Sequence, residues 1–464
     1  MRKSGAHTWV KEMKEKFDAQ LAWFLSGATR DLDNRINSLK RLREALRRHE
    51  SELLRALRED LGKTPEESYL TEIAVVYAEI EAMLAGVKRW ARERERFLWR
   101  EKLFARGVIY RDPYGVVLNV AAWMEPVRLC LVPLVDAVAA GNCVMLSPSP
   151  RAPRTAAAVN MVLRESFRSD HVTMTEGGAE AVEQLTALPF DKLFFSGTAE
   201  DGRAVLRQAA ETLTPAALEL TGKNPVVVMA DADVAKAARR IVFAKTLAAG
   251  QSCFAPDYVL VARPAETALL TALRAEIVEQ FGARPMQSYD YPRVASEAHF
   301  DRLIEMIEGQ NVFCGGGWDE KALKIEPTVI SRPALDSALM AEPVFGPLLP
   351  VIPYGSSQEA VKIMRRTSAP HALYCFSEDI AAARRLMRDM RFGGGCINDC
   401  GMQASSAKLP FGGVGESGMG SYRGRAGFEC FTRPKSVYIA AQSDPQLRYA
   451  PREGSLNEMH RWFR

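Results

Sequence analysis

The first hundred residues repeat apolar positions with a helical period. Leu39, Leu42 and Leu46 recur at steps of three and four residues among arginines and glutamates, which places them on one face of an amphipathic helix. Residues 8–105 are therefore predicted to be helical. The segment 88–106 adds arginines and aromatic residues diluted by glutamates. This composition favours a solvated helix packed on the body of the protein over a helix that binds a membrane surface or a nucleic acid.

From Gly115 onward, short apolar runs alternate with helical stretches. The alternation predicts a doubly wound parallel sheet with helices on both faces, in which ligands bind beyond the carboxyl ends of the strands. We predict strands at 115–122, 143–146, 172–174 and 192–195, and helices at 126–140, 153–166, 179–187 and 203–212.

A second α/β unit follows residue 219. It is predicted to contain strands at 225–229, 258–261 and 349–353 and a helix at 233–247. The last sixty residues read as a glycine-rich loop, a strand at 436–440 and a polar tail. The fold class is therefore α/β.

Length and composition indicate an ordinary globular protein of two or three domains. The chain has 464 residues, 47% apolar and 25% charged, with a net charge of +4 that implies no polyanionic partner. Its eight cysteines form no C-x-x-C pair, so neither a zinc site nor a disulfide framework is expected and a reducing cytoplasm fits. No secretory signal and no apolar run long enough to span a membrane is apparent.

Two residues are candidates for chemistry. Cys253 lies in a Gly-Gln-Ser-Cys run, and Glu219 lies 34 residues upstream of it. A cysteine attacks a carbonyl carbon when its surroundings favour the thiolate, and a nearby carboxylate serves as the general base. By itself a cysteine is more often a small buried apolar residue, so the other segments of the chain decide its role.

Two glycine-bearing segments invite a phosphate-binding interpretation. The turn from Gly197 to Gly202 follows a predicted strand and opens a helix, where backbone N–H groups and the helix dipole bind phosphates. The segment 413–418 matches G-x-G-x-x-G letter by letter, but it follows no clear strand and opens no clear helix. We interpret it as a tight loop.

Many segments in one order carry a resemblance to a known family. The chain resembles the NAD(P)-dependent aldehyde dehydrogenases, in their shorter class 3 type, over nearly its whole length. So many ordered matches exclude a chance similarity. The segments are 113–117, 139–142, 213–215, 218–220, 250–253, 255–258, 345–350, 409–415 and 417–422.

The resemblance implies roles for single residues. The cysteine that matches Cys253 attacks the aldehyde to form a thiohemiacetal, hydride passes to the nicotinamide, and a water activated by the match of Glu219 hydrolyses the thioester. The implied function is the oxidation of an aldehyde to a carboxylic acid with NAD or NADP. The residues implied to bind the cofactor are Trp123, Gly197, Thr198, Gly202 and Phe345.

The resemblance also implies an architecture: two doubly wound, Rossmann-like parallel-sheet domains and a bridging arm for oligomerisation. We expect the N-terminal helical part of the cofactor domain at 1–112, a dinucleotide-binding domain at 113–218, a catalytic domain at 219–402, and a C-terminal loop and arm at 403–464. A homodimer acting on a small-molecule aldehyde, without a nucleic acid or a membrane anchor, is the expected assembly.

Several positions depart from the family pattern. Met124 replaces the asparagine whose amide donates to the oxyanion, and a thioether has no hydrogen to donate; losing one such donor typically costs ~10²–10³ in rate. Glu125 adds a carboxylate beside it. The contacts to the cofactor riboses are lost at Ser147, Pro150 and Pro343, and Asp201 adds negative charge to the phosphate turn.

These departures leave three functions open. The first is an aldehyde dehydrogenase with reduced cofactor affinity, in which Arg128 or Arg203 replaces a lost positive charge. The second is a catalytically impaired protein of this fold with a binding or assembly role. The third is a thiol esterase that works without the cofactor.

Overall fold

Two parallel β-sheets carry the fold in a computed structural model that describes residues 2–97, 106–175, 177–440 and 449–463. The helices are α1 (Arg2–Leu25), α2 (Leu32–Arg48), α3 (Glu50–Leu61), α4 (Pro65–Ser68), α5 (Ala74–Trp90), α6 (Pro126–Ala140), α7 (Pro153–Ser166), α8 (Ala179–Thr186), α9 (Ala199–Glu211), α10 (Val234–Thr246), α11 (Glu266–Phe281), α12 (Glu297–Ile307), α13 (Ala338–Ala341), α14 (Ser357–Met364), α15 (Ile380–Asp389), α16 (Gly424–Cys430) and α17 (Leu456–Phe463). The strands are β1 (Arg94–Phe97), β2 (Arg106–Pro113), β3 (Val116–Val120), β4 (Cys143–Ser147), β5 (Val172–Met174), β6 (Lys192–Gly197), β7 (Ala216–Leu220), β8 (Pro225–Val228), β9 (Tyr258–Ala262), β10 (Val312–Cys314), β11 (Trp318–Asp319), β12 (Lys324–Ile325), β13 (Thr328–Ser331), β14 (Leu348–Tyr354), β15 (Ala372–Phe376), β16 (Gly394–Ile397), β17 (Gly418–Met419) and β18 (Thr432–Ile439).

The first sheet has the strand order β17-β7-β6-β3-β4-β5. Strands β3 to β7 run parallel, and β17 joins antiparallel at the edge. β3 and β4 are buried along their whole length, as strands covered by helices on both faces must be. All residues of α6 are buried between this sheet and the N-terminal helices. The predicted doubly wound sheet is confirmed.

The second sheet has the order β10-β13-β14-β9-β8-β15-β16, with only β10 antiparallel among its strands. The strands predicted at 225–229, 258–261 and 349–353 are β8, β9 and β14 of this sheet. Both predicted α/β units therefore exist. How the chain divides into domains at residues 112, 218 and 402 stays a prediction.

A small third sheet corrects the prediction for the N-terminal hundred residues. The helical pattern ends at Trp90, and β1 then pairs antiparallel with β2, which in turn pairs with β18 from Thr432↔Pro113 to Ile439↔Arg106. The solvated helix predicted at 88–106 is therefore wrong beyond Trp90, and its residues 98–105 lie outside the described part of the chain.

The carboxyl end of β7 and the amino end of β8 bring the two sheets together around the candidate residues. Glu219 lies near the end of β7, and Cys253 follows α10 through a 3₁₀ turn at Leu247–Gly250. The glycine loop at 413–418 is a tight loop as predicted, since its Gly418 pairs with Glu219 at the sheet edge. No helix among the described residues is long and apolar enough to cross a membrane.

Candidate active site

The loop that carries Cys253 is held in an unusual backbone conformation. Ala248 and Ala249 have positive φ values of 50° and 53°, and Gly250 follows at 77°. A Cβ at position 250 would meet the carbonyl oxygen of Gly346 at 2.3 Å, so only glycine fits there. The Asn224 amide donates to the carbonyl oxygen of Cys253 at 2.8 Å. These contacts fix where the sulfur lies.

Cys253 and Glu219 are in direct contact. The sulfur donates a hydrogen bond to Glu219 Oε1 over 3.0 Å, and both side chains are 1% exposed. The Tyr422 hydroxyl donates to the other carboxylate oxygen, Oε2. The structure therefore brings together the two residues that the sequence singled out, with the carboxylate placed to take the thiol proton.

A buried arginine joins this pair. Arg128 Nη2 donates to Glu219 Oε1 at 2.9 Å and makes a second, longer contact of 3.9 Å with the sulfur of Cys253. Its Nη1 donates to the Tyr422 hydroxyl at 2.9 Å, and its Nε donates to Glu125 Oε2 at 2.5 Å. Arg128 is 1% exposed. A fully desolvated guanidinium thus contacts the candidate base, the candidate nucleophile and a second carboxylate.

Further buried charges lie behind this arginine. The Ser252 hydroxyl donates to Glu125 Oε1 at 3.1 Å. Lys63 pairs with Glu72 at 2.5 Å and also donates to the backbone oxygen of Met124 at 3.3 Å. Buried charges of this kind persist only when they are paired and hydrogen-bonded. The surroundings of the thiol on this side are therefore ionic rather than apolar.

The charges set the protonation states of the pair. Burial alone would raise the pKa of Glu219, but the positive charge of Arg128 overcomes it and lowers that pKa to about 2. Burial, and then the negative charge of Glu219, raises the pKa of the Cys253 thiol well above its usual value, against the opposing charge of Arg128. At rest the site therefore holds a protonated thiol and an ionised carboxylate.

His371 completes the immediate surroundings. It precedes β15, it is 1% exposed, and neither ring nitrogen has a hydrogen-bond partner among the described residues. Burial lowers its pKa, so the imidazole is neutral. One ligand atom each from Glu219, Cys253 and His371 lies within 4.8 Å of the others. Because Arg128 already lies against the Glu219 oxygen and repels a dication, we assign no metal ion to this cluster.

A cleft of about 1570 Å³ opens at the ends of the first sheet, larger than the ~300–1,000 Å³ of typical small-ligand sites. Met124 and Thr221 are among the described residues that line it, whereas Cys253 and Glu219 are not. Trp123 and Phe345, both expected to bind the cofactor, line it together with His299. The rings of Trp123 and Phe345 meet edge to face with centroids 5.8 Å apart. Phe345 itself has a positive φ of 53°, a strained conformation that the surrounding contacts must hold. The size and the aromatic wall fit a dinucleotide.

The phosphate turn lies in the same cleft. Gly197 ends β6, and Thr198 is the N-cap of α9. The Thr198 hydroxyl caps the helix, because it accepts from the backbone N–H of Asp201 at 3.1 Å, and it donates to the Asp201 carboxylate at 2.7 Å. Gly202 is buried behind the wall, where a Cβ would meet Leu220 at 2.9 Å, so it allows the helix to pack closely on β7.

The lining charges do not favour an anionic ligand. Six acidic and four basic side chains face the cleft: Glu183, Glu200, Asp201, Asp336, Glu342 and Glu416 against Arg151, Lys223, Arg302 and Arg366. Two of the acidic residues, Glu200 and Asp201, occupy the first turn of α9, where a phosphate would otherwise meet the positive end of the helix dipole. The cleft fits a dinucleotide by shape and opposes its pyrophosphate by charge.

Three of the four positions that lost a family contact line the cleft. Met124 lines the cleft with its side chain 3% exposed. Pro150 and Pro343 also line it, and Ser147 is buried at the end of β4. The Pro343 carbonyl oxygen accepts from Arg302 at 2.7 Å, so this loop is anchored although its side chain offers no acceptor.

Sequence reasoning missed part of the site. His371 was one histidine among six with no ligand spacing, and Tyr422 belonged to a matched segment without an assigned role. Arg128 was named only as a possible replacement charge; the structure places it in the site. Arg203 instead pairs with Glu416 at 2.6 Å. A charged residue within a helix that has only one other charge, Asp136, was the available signal for Arg128.

Comparison with known proteins shows the family. The model of the aldehyde dehydrogenase family matches residues 4–437. A 4,4'-diaponeurosporen-aldehyde dehydrogenase of Staphylococcus aureus is 37% identical over 97% of this chain and 99% of its own length. The mouse protein "aldehyde dehydrogenase, dimeric NADP-preferring" is 33% identical over 92% of this chain and 95% of its own. The structure of the substrate-bound state of Staphylococcus aureus AldH superposes with a TM-score of 0.93 at 37% identity, covering 97% of this chain and 99% of that one.

A dinucleotide-sized cleft on a doubly wound parallel sheet is the architecture of a nicotinamide-dependent oxidoreductase. The chain belongs to the aldehyde dehydrogenase family. It is an enzyme of that family, whose members oxidise aldehydes to acids with a nicotinamide cofactor. The predicted family, fold class and general function are confirmed.

Proposed function

We propose that this enzyme oxidises a long apolar aldehyde through a thioester on Cys253, with Glu219 as the base and with weak affinity for NAD or NADP. The observation that carries the proposal is the hydrogen bond of 3.0 Å from the Cys253 sulfur to Glu219 Oε1. A nucleophile and a base in contact are what covalent catalysis by a thiol requires.

The contact supports two successive uses of the carboxylate. Glu219 first takes the thiol proton, and the sulfur attacks the carbonyl carbon to form a thiohemiacetal. The bound nicotinamide supplies the chemistry of hydride acceptance. The thioester then forms, and Glu219 loses the proton that it took from the thiol. The same carboxylate next deprotonates a water, which hydrolyses the thioester and releases the acid. Because the sulfur is 1% exposed, an aldehyde reaches it only when neighbouring side chains move.

Cofactor binding rests on Trp123, Phe345 and the Gly197–Thr198 turn. The aromatic wall supports the nicotinamide end, and the backbone of the turn supports the pyrophosphate. The acidic lining and the missing acceptors at Pro150 and Pro343 support weak affinity. Each lost hydrogen bond of a charged group is worth ~1.5–3 kcal/mol. The choice between NAD and NADP stays open to titration with both.

We infer the substrate class from the Staphylococcus aureus relative and from the surface next to the site. The name 4,4'-diaponeurosporen-aldehyde denotes a long polyene aldehyde. In this chain Tyr69 and Leu70 are 45% and 52% exposed. They directly follow α4, whose Glu67 accepts a hydrogen bond from Ala248 of the catalytic loop at 2.5 Å. An apolar surface next to that loop suits an apolar chain.

The test is a turnover assay that follows the reduced cofactor with retinal, decanal and acetaldehyde. We expect kcat/KM to be at least about tenfold higher for the two apolar aldehydes, the equivalent of burying two methylene groups. Cys253→Ala should abolish turnover, whereas Cys314→Ala, on the edge strand β10, should not. No turnover with any aldehyde at millimolar NAD or NADP would refute the dehydrogenase; equal kcat/KM for all three would refute the apolar substrate.

A second candidate, cofactor-independent ester hydrolysis, is favoured by His371. A neutral imidazole without a hydrogen-bond partner among the described residues lies beside the thiol and the carboxylate, and such a group can transfer protons. Hydrolysis of a p-nitrophenyl ester without cofactor, abolished by Cys253→Ala and strongly reduced by His371→Leu, would support it. A rate unchanged by His371→Leu would exclude this role for the histidine.

We further propose a cytoplasmic homodimer. All eight cysteines are free, which suits a reducing compartment. β18 is an edge strand of the third sheet, and its Val437, Tyr438 and Ile439 are 40–48% exposed. Edge strands with apolar side chains pair readily with another chain. Light scattering should give a dimer for the native protein and a monomer for Tyr438→Glu; a native monomer would refute the dimer.

A further inference from the structure

The position that the family uses for its oxyanion donor offers none here. The Met124 side chain has no N–H or O–H, and it is buried. Lys63, the cation that contacts Met124, is taken up by Glu72 and by the backbone oxygen of Met124. Negative charge that develops at the Cys253 sulfur therefore has to be met by another group.

Arg128 lies one helical turn further along α6 and reaches the sulfur. Its Nη2 contacts both Glu219 Oε1, at 2.9 Å, and Cys253 Sγ, at 3.9 Å. Its other nitrogens are held by Glu125 and Tyr422. A guanidinium fixed on three sides does not reorganise during the reaction, which is the condition under which a donor stabilises a transition state.

We propose that Arg128 is the catalytic cation that stabilises the negative charge developing at Cys253, first on the sulfur and then on the oxygen of the aldehyde adduct. The inference rests on the proposed function and adds a residue to it. In the step, the thiol proton passes to Glu219, the sulfur–carbon bond forms, and the carbonyl π electrons move onto the oxygen. That oxygen is then two bonds from the sulfur, within hydrogen-bond reach of the guanidinium.

Burial makes this contact strong. Arg128, Glu219 and Cys253 are each 1% exposed, and charge–charge interactions are several times stronger in such surroundings than in water. A guanidinium also keeps its charge at every physiological pH. Arg128 therefore supplies both a hydrogen-bond donor and a full positive charge where the asparagine amide of the family supplies a dipole.

Two assays test the proposal, each on the full-length protein. The first is aldehyde turnover by Arg128→Met. We expect kcat to fall ~10²–10³-fold with little change in KM for the aldehyde. Adding Met124→Asn to Arg128→Met should raise kcat at least about tenfold above that of Arg128→Met, because an amide again points at the adduct. Arg128→Met that folds and keeps kcat within about threefold of the native enzyme would overturn the proposal.

Arg128→Met leaves two buried carboxylates without their cation, and such a variant can fail to fold. The double variant Glu125→Gln, Arg128→Met keeps the net charge of the cluster and is compared with Glu125→Gln alone. The same ~10²–10³-fold difference in kcat is expected between these two. Equal kcat in the pair would overturn the proposal.

The second assay does not depend on turnover. The rate at which iodoacetamide alkylates Cys253 is followed by peptide mass spectrometry as a function of pH, which separates it from the other seven cysteines. Without Arg128 the alkylation profile should move to higher pH, since the thiolate has lost its cation. If the native protein fails to oxidise aldehydes but the alkylation profile of Arg128→Met is shifted, only the proposed function is refuted. If the two profiles coincide, the role of Arg128 is refuted.

Discussion

Replacing Asp201 with asparagine should weaken the fold slightly and strengthen cofactor binding. Asp201 is exposed, lines the cleft, and its carboxylate accepts a hydrogen bond from the Thr198 hydroxyl that caps α9. Asparagine keeps an oxygen that can accept from the Thr198 hydroxyl and removes only the charge. The substitution therefore isolates the effect of negative charge in the phosphate turn.

The two effects have opposite signs and comparable sizes. A carboxylate in the first turn of a helix stabilises it by about 0.3–1 kcal/mol through the helix dipole, so the free energy of unfolding should fall by that amount. Two unit charges ~8 Å apart repel by roughly 0.5–2 kcal/mol at dielectric constants between those of water and a protein surface. Relief of this repulsion for a pyrophosphate should lower the Kd about tenfold, or roughly 1.4 kcal/mol.

Calorimetric titration with NAD and NADP, paired with chemical unfolding, measures both quantities. Glu211→Gln is the matched control, because Glu211 ends the same helix, is exposed and does not line the cleft. It changes the net charge equally, should leave the Kd unchanged, and should stabilise the helix slightly. If Asp201→Asn binds the cofactor no more tightly than the native protein, or if both variants tighten binding equally, the assigned role of Asp201 is wrong.

Other substitutions test the remaining contacts. Pro343→Glu restores the carboxylate that the family pattern places at the nicotinamide ribose and should lower the Kd of the cofactor ~10–100-fold in the same titration; an unchanged Kd would show that this loop does not reach the ribose. Leu213 has a positive φ of 55° and is 88% exposed, so Leu213→Gly should raise the free energy of unfolding by about 1 kcal/mol while Leu213→Ala should not. The pKa of Glu219, lowered to about 2 from about 4.5 in the unfolded chain, adds stability that is present above pH 4.5 and lost as the pH falls toward 2. Acid unfolding of Glu219→Gln should therefore depend less on pH across this window, and an identical dependence would contradict the ion pair with Arg128.

Local signals explain why most elements were predictable. The helix at 126–140 was predicted with both ends correct, because Pro126 suits its first turn and Gly141, with a φ of 98°, ends it. The apolar runs of β3 and β4 are typical of strands buried on both faces. Where the composition of a segment agrees with its surroundings, the sequence is sufficient.

The third sheet was missed because its structure comes from pairing over a long distance in the chain. β1 consists of three charged residues and a phenylalanine, a composition without strand character. It is a strand because β2 pairs with it, and β2 is held in turn by β18 more than 300 residues later, as in the pair Pro113 and Thr432. Tertiary contacts of this kind override local preference and leave no local signal.

The centre of the site shows the same limit at the level of single side chains. Cys253 and Glu219 were found because each lies in a segment that matches the family. Arg128 contacts them across 125 and 91 positions of the chain, and its partners are set by the packing of α6 against the first sheet. A sequence can show that an arginine is present in an apolar helix, but its distance to a sulfur is a property of the fold.

The loss of the asparagine at position 124 therefore cannot be judged alone. Taken singly it predicts a large loss of rate, and a new carboxylate at Glu125 makes the field less favourable to an anion. Yet a buried Arg128 without Glu125 and Glu219 would be an uncompensated charge, which costs several kcal/mol, and with them it is fixed against the sulfur. The residues at positions 124, 125 and 128 are thus coupled, and the energies of coupled residues do not add. The variant Met124→Asn in the native background should consequently gain little, since the cation already occupies the position from which an amide would act.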